Sequence, residues 1–193
     1  MADALLARTA LGGGVAELRS YGDPALVALS ELPAASMLDL RLDPADTAAL
    51  GAAERTLALK LPQTPGKSAA SADCVALWLG PDQWLISVSS ADPASLLQAL
   101  GGAATSAVDV SDLRAVFELA GPHAADVLRK GCAIDLHPRV FVAGDCAVTS
   151  LARVRVALRQ TDDRPAYRIF VERSYAPYLW DWLIDAMFEY SGG

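Results

Sequence analysis

A chain of 193 residues, 53% of them apolar and only 20% charged, has material for one domain or two small lobes and more apolar surface than a solvated exterior needs. The net charge of −7 argues against a basic stripe that could neutralise phosphates, so nucleic acid is not an expected partner. No apolar run approaches the roughly 18 residues that span a bilayer, so no membrane partner is expected and the mean hydropathy of +0.28 must be absorbed by a core or by another protein.

Residues 1–35 are rich in Gly, Ala and Pro and weakly periodic. Gly12-Gly13-Gly14 and Asp23-Pro24 are loop signals, so this stretch reads as an extended arm with a short helix over 24–30. Its first residues, M-A-D-A-L-L, carry an acid and no basic region, unlike a signal peptide. Three widely spaced cysteines form no disulfide framework, and a reducing cytoplasm is the expected compartment. Alternation over 38–42 predicts a strand, Asp43-Pro44 a cap for a helix over 45–54, and 56–61 a second strand. Residues 62–73 read as a loop. The runs 74–79 and 84–88 form a hairpin, and Asp92-Pro93 opens a helix that ends near Gly101.

Strands are then expected over 104–110 and 114–120, the second ending at Gly121-Pro122. Pro122 opens a helix over 122–130, because a first-turn proline lacks only an N–H that would go unsatisfied there, and Gly131 ends it. After a loop through His137-Pro138-Arg139 to Gly144 come strands near 146–158 and 165–171, then a helix over 174–190. Hairpin followed by helix occurs at 74–100 and again at 146–190. The expected fold is therefore α+β: two small lobes, residues 1–101 with the arm and residues 102–193, cut at Gly101-Gly102 and packed as one body. Each has an antiparallel sheet with helices on one face.

The polar residues offer little chemistry. Gly12-Gly13-Gly14 follows no strand and matches no phosphate-loop pattern. Cys132, His137 and Cys146 are separated by four and eight residues, a spacing that fits no zinc site. His123 stands in a first helical turn, where the helix dipole disfavours imidazolium, and His137 precedes a proline; neither lies near a nucleophile elbow. Asp109 and Asp112 around Ser111 read as a turn whose short side chains bind backbone N–H groups. No catalytic, cofactor-binding or metal-binding residue is expected on this chain. In the C-terminal helix, Asp181, Asp185 and Glu189 form one narrow stripe, while aromatic and aliphatic side chains cover most of the remaining circumference. Trp180 and Ile184, on the flank farther from Leu179 and Leu183, are the expected partner-interface residues.

The pattern strand, Gly121-Pro122, helix, Asp135-Leu136 resembles the folate-binding aminomethyltransferase fold of the glycine cleavage T-protein. Further segments resemble the gamma subunit of heterotetrameric sarcosine oxidase: W-L-G-P-D-Q-W-L at 78–85, D-V-S-D at 109–112, F-E-L-A-G-P-H-A at 117–124, K-G-C-A-I-D-L-H-P-R-V-F at 130–141, L-A-R-V at 151–154 and Y-L-W-D-W-L at 178–183. The resemblance covers roughly residues 75–190. It implies a subunit without an active site in an enzyme that oxidises sarcosine with oxygen to glycine, peroxide and a one-carbon unit. It further implies alpha, beta and delta partner subunits carrying FAD, FMN, NAD, tetrahydrofolate and zinc. Folate aminomethyltransferases place an acid before the strand that follows the motif. This chain has Val148-Thr149-Ser150-Leu151-Ala152 there, without the carboxylate that would stabilise a cationic amine. A free-standing aminomethyltransferase-like protein and an interaction or chaperone module are the alternatives.

Overall fold

The computed structural model describes residues 9–12, 17–89, 91–101 and 106–190. Eleven strands and four α-helices occur among them, and the pairings β1–β2, β2–β8, β8–β11, β10–β11, β3–β6, β3–β7, β4–β5 and β5–β6 of the strands located below are antiparallel. The strands build two sheets in two compact units, an α+β architecture as the hairpin–helix pattern predicts.

One unit comprises residues 1–34, 113–142 and 149–193. Its sheet runs in the order β1 (Ser20–Asp23), β2 (Val27–Glu31), β8 (Arg114–Ala120), β11 (Ala166–Glu172), β10 (Val154–Asp162), β9 (Cys146–Leu151). The expected helix over 24–30 is instead the β1–β2 hairpin. Val27, Leu29 and Glu31 alternate inward, and Asp23 closes the turn by accepting the Ala25 N–H at 2.9 Å. The expected strand over 146–158 is likewise a hairpin, broken at Ala152 and Arg153, both with left-handed backbone (φ 51° and 68°). Gly121 has φ 127°, and a Cβ there would stand 2.6 Å from the Leu26 carbonyl oxygen, so only glycine fits between β8 and the next helix. That helix, α3 (Ala124–Arg129), buries Ala124, Ala125, Val127 and Leu128. The last helix, α4 (Ala176–Ala186), is shorter than the expected 174–190, with a 3₁₀ turn on either side.

The other unit comprises residues 35–112 and 143–148. Its sheet order is β4 (Ser68–Ala70), β5 (Cys74–Gly80), β6 (Gln83–Val88), β3 (Ser36–Arg41), β7 (Ser106–Asp109). Helices α1 (Thr47–Leu57) and α2 (Pro93–Leu100) contribute Leu50, Ala53, Leu57, Leu96 and Leu100 to one core with Leu38, Leu40, Ala76, Trp84 and Ile86 of the sheet. Trp84 is fully buried, and its indole N–H is satisfied by the Pro62 carbonyl at 2.7 Å. Asp46, rather than Asp43, caps α1, accepting the N–H groups of Ala48 and Ala49. The strand expected over 56–61 is absent because Leu57 completes the helical stripe of Leu50 and Ala53. The Leu61 N–H then goes to Glu54 at 3.0 Å instead of to a strand neighbour. The expected 62–73 loop contains the short edge strand β4.

Strand pairing crosses the expected cut at 101/102 twice. β2 pairs with β8 (Leu29 opposite Leu119), and β3 pairs with β7 (Leu40 opposite Ala107). The units are accordingly interleaved along the chain, where residues 1–101 and 102–193 were expected to form separate lobes. Backbone hydrogen bonding between distant strands, and not the Gly101-Gly102 signal in the sequence, decides membership.

Candidate functional site

The C-terminal helix is where the sequence places its functional claim. Ala176, Leu179, Trp180, Leu183 and Ala186 are buried, an arc of the width usual for a helix on one sheet. Trp180 lies within this arc. It is 3% exposed and meets Phe117 of β8 edge to face, with ring centroids 5.3 Å apart. Its assignment to a partner interface is therefore corrected: the indole fills the core of its own unit and has almost no surface left to offer. Ile184 is half-buried on the next flank.

The surplus aromatic surface lies on the opposite flank. Tyr175 and Tyr178 are 49% and 48% exposed, and Trp182 is half-buried. The Tyr178 hydroxyl donates to the Ala152 carbonyl at 3.0 Å, and the Ala152 N–H donates to the Gly131 carbonyl at 3.0 Å. The Trp182 ring covers Gly131 so closely that a Cβ there would stand 2.6 Å from it. Arg153, exposed, stands at the tip of this turn. Sequence reading missed this cluster because 100° steps place residues on a helix face without saying which neighbours cover that face. The signal was present in two of the family-like segments, L-A-R-V and Y-L-W-D-W-L, which the fold brings together.

Beyond α4, a charged clasp holds the final 3₁₀ turn, Phe188–Tyr190. His123 stacks on Tyr190 with centroids 4.4 Å apart, and its Nδ1 lies 3.2 Å from Asp126. Lys130 donates to Glu189 and to the Ala186 carbonyl, both at 2.5 Å. The Lys130 hydrogen bond holds the Glu189 carboxyl below the ordinary carboxylate range, while partial desolvation, with Glu189 beside it, raises the Tyr190 phenol. His123 thus belongs to a packing clasp. Nδ1 of His137 accepts the Arg139 N–H at 3.2 Å and shapes its own loop.

Asp109 and Ser111 form the expected turn. Asp109 accepts the Ser111 N–H at 2.9 Å and its hydroxyl at 2.6 Å, and the Met37 N–H donates to the Ser111 hydroxyl at 2.9 Å. The three cysteines are free. Cys74 is buried, which pushes its thiol up to about 11, and Cys146 donates to the Lys67 carbonyl at 3.1 Å. Among the described residues no three His, Cys, Asp or Glu side chains gather to hold a metal. Gly12 forms a turn with Thr9, while Gly13 and Gly14 lie outside the described residues. A further polar row crosses β10, β11 and β8: Arg159 opposite Arg168, and Arg168 opposite Glu118 with Nε 3.6 Å from the carboxylate. The stretch 148–152, in β9 and its turn, contributes no carboxylate.

Comparison with known proteins gives a consistent picture. A protein from Arthrobacter sp., "Sarcosine oxidase subunit gamma", is 39% identical over 186 residues, 92% of this chain and 88% of that one. The protein of the same name from Corynebacterium sp. (strain U-96) is 40% identical over 171 residues, 86% of this chain and 81% of that one. Among solved structures, a chain of the heterotetrameric sarcosine oxidase from Corynebacterium sp. U-96, in complex with pyrrole 2-carboxylate, superposes with a TM-score of 0.80. It is 36% identical and the match covers 90% of both chains. The glycine cleavage system aminomethyltransferase T from Bartonella henselae superposes at 0.59 with 14% identity, over 83% of this chain and 46% of that one, a likeness of fold. The model of the sarcosine oxidase gamma subunit family matches residues 41–189, and the chain belongs to that family.

Proposed function

We propose that this chain is the non-catalytic gamma subunit of a heterotetrameric, flavin-dependent sarcosine oxidase, and that its role is to hold the assembly together. The enzyme it serves converts sarcosine and oxygen to glycine, peroxide and a one-carbon unit. The observation that carries this reading is the 36% identity and TM-score of 0.80, over 90% of both chains, to a chain of such a heterotetramer. Its partners are alpha, beta and delta subunits, which carry FAD, FMN, NAD, tetrahydrofolate and zinc; the compartment is the cytoplasm.

The side chains of this unit agree with a supporting role. Asp46 is used as a helix cap, Asp109 in a turn and Glu189 in the clasp with Lys130, and among the described residues no three His, Cys, Asp or Glu side chains gather to hold a metal. Residues 148–152 supply no carboxylate to stabilise a cationic amine, so the aminomethyltransferase likeness is read as shared fold.

The test separates chain from complex. Calorimetric titration of the purified chain with FAD, NAD and tetrahydrofolate is expected to show no stoichiometric binding. The co-expressed complex, purified through a tag on this chain, is expected to show a flavin absorption spectrum that bleaches with sarcosine. Tight flavin or folate binding by the lone chain, or a colourless purified product, contradicts the proposal.

A further inference from the structure

We propose that the last turn, Phe188–Tyr190, is an electrostatic latch that opens and closes independently of helix α4, with the Lys130 ammonium as its key. The proposal stands apart from the gamma-subunit reading and rests on where apolar burial stops. Along α4, Leu179, Trp180, Leu183 and Ala186 lie in the core, and Met187 after them is 1% exposed. A Cβ added to Gly22 of β1 would stand 2.6 Å from the Met187 methyl, so the Met187 side chain is packed against that strand. One residue later the burial ends: Phe188 is 79% exposed, and the Glu189 side chain is more than half exposed. Packing of an apolar face, the main source of helix stability in a fold, thus holds α4 as far as Met187 and contributes little beyond it.

What grips the turn is polar and comes from α3 and its two caps. Lys130, at the C-terminal end, donates to Glu189 and to the Ala186 carbonyl, and its ammonium stands 5.4 Å from the centroid of the Tyr190 ring. His123, at the N-terminal end, stacks on that ring, while its Nδ1 lies beside Asp126, which Arg129 binds in turn. The backbone adds one bond from the Tyr190 N–H to the Met187 carbonyl at 2.8 Å. A single ammonium therefore ties the end of α4 to the carboxylate and the ring of the turn. The Lys130 hydrogen bond holds the Glu189 carboxyl below the ordinary range, so the pair is charged at neutral pH. Both side chains of the pair reach solvent, so salt weakens this grip while leaving apolar contacts in place. A segment held in this way opens at low free-energy cost while the core beside it stays closed. Open, the turn bares the Lys130 amine and the stacked face of the His123 imidazole; closed, it covers both.

The test is amide hydrogen exchange of the full-length chain, read at single residues by NMR. The Tyr190 N–H reports the turn, and the Leu183 N–H reports α4. In Glu189→Gln the Tyr190 amide is expected to exchange about two- to fivefold faster than in wild type, the effect of losing one exposed ion pair. Lys130→Met removes the ion pair, the carbonyl hydrogen bond and the ammonium–ring contact together, and an acceleration of about tenfold or more is expected. Raising the salt from about 0.05 M to about 1 M is expected to speed Tyr190 exchange in wild type and to change little further in Glu189→Gln. The Leu183 amide is expected to keep its wild-type rate throughout. Arg164→Glu, which removes an ion pair at the turn between β10 and β11, is expected to leave Tyr190 unchanged. Unchanged Tyr190 exchange in Lys130→Met, or exchange at the unprotected rate already in wild type, overturns the proposal. Equal acceleration of Leu183 also overturns it, because the turn then opens only with its helix. A wild-type Tyr190 rate indifferent to salt, or one accelerated by Arg164→Glu, refutes the electrostatic latch in particular. None of these outcomes touches the gamma-subunit reading.

Discussion

At the scale of single residues, burial decides between core and contact. Trp180 and Leu183 are both buried, at 3% and 0% exposure, on the same arc of α4. Trp180→Ala is expected to lower the stability of the chain by about 3–5 kcal/mol, comparable to the roughly 2–5 kcal/mol of Leu183→Ala. Urea unfolding of the two variants checks this; a Trp180→Ala chain as stable as wild type would contradict the core placement. The thiols provide a second residue-scale test. Burial raises the Cys74 pKa to about 11, above its value in the unfolded chain, so its contribution to stability is complete below the unfolded pKa. That contribution is lost as pH rises from about 9 toward 11, as the unfolded thiol ionises first. Cys74→Ala is expected to flatten this part of the stability–pH curve. In the native chain at neutral pH, half-buried Cys132 is expected to be alkylated before Cys74, as mass spectrometry of the labelled peptides would reveal.

At the scale of elements, the sequence was most legible where one local signal governs. The hairpin of β5 and β6, strand β8 at 114–120 and helix α2 after Asp92-Pro93 stand where alternation, turn residues and caps place them. It was least legible where two periods compete. T-L-A-L-K-L at 56–61 alternates like a strand, yet Leu57 is the last turn of a helix. Asp23-Pro24 looks like a helix start for residues 24–30, yet Ala28, Leu29 and Ser30 pair with β8. The Ala152-Arg153 turn was hidden because neither residue carries the glycine or asparagine signature of a left-handed turn. The face of α4 available to a partner was hidden for a related reason: α4 follows the 3.6 period, but β8 and the β9–β10 turn decide which flanks are covered. Gly131 ties these elements together, and its replacement by alanine is a sharp test of their fit. A Cβ would press on the Trp182 ring at 2.6 and 2.8 Å, so Gly131→Ala is expected to displace the indole and cost about 1–3 kcal/mol. Tryptophan fluorescence and thermal melting report both effects; an unchanged spectrum and melt would contradict the described packing.

At the scale of the whole molecule, composition and structure point the same way. A chain with 53% apolar residues and 20% charged ones still leaves Leu113, Val140 and Phe188 strongly exposed, in addition to the tyrosines of the α4 flank. Scattered apolar residues are ordinary on any surface, and exposed apolar side chains in this number suit a chain that is covered in part by an assembly. Membership of the gamma subunit family was legible because six ordered segments match it. The interleaving of the two units was not, because pairing between strands some 70–90 residues apart leaves no local trace. This chain works as one part of a larger oxidase, and native mass spectrometry of the complex purified through a tag on this chain is the decisive test. The expected result is a single assembly of four different chains, with this one present and flavin released on denaturation. A species with the mass of this chain alone, or of multiples of it, under conditions where the large subunits are expressed and folded, would contradict it.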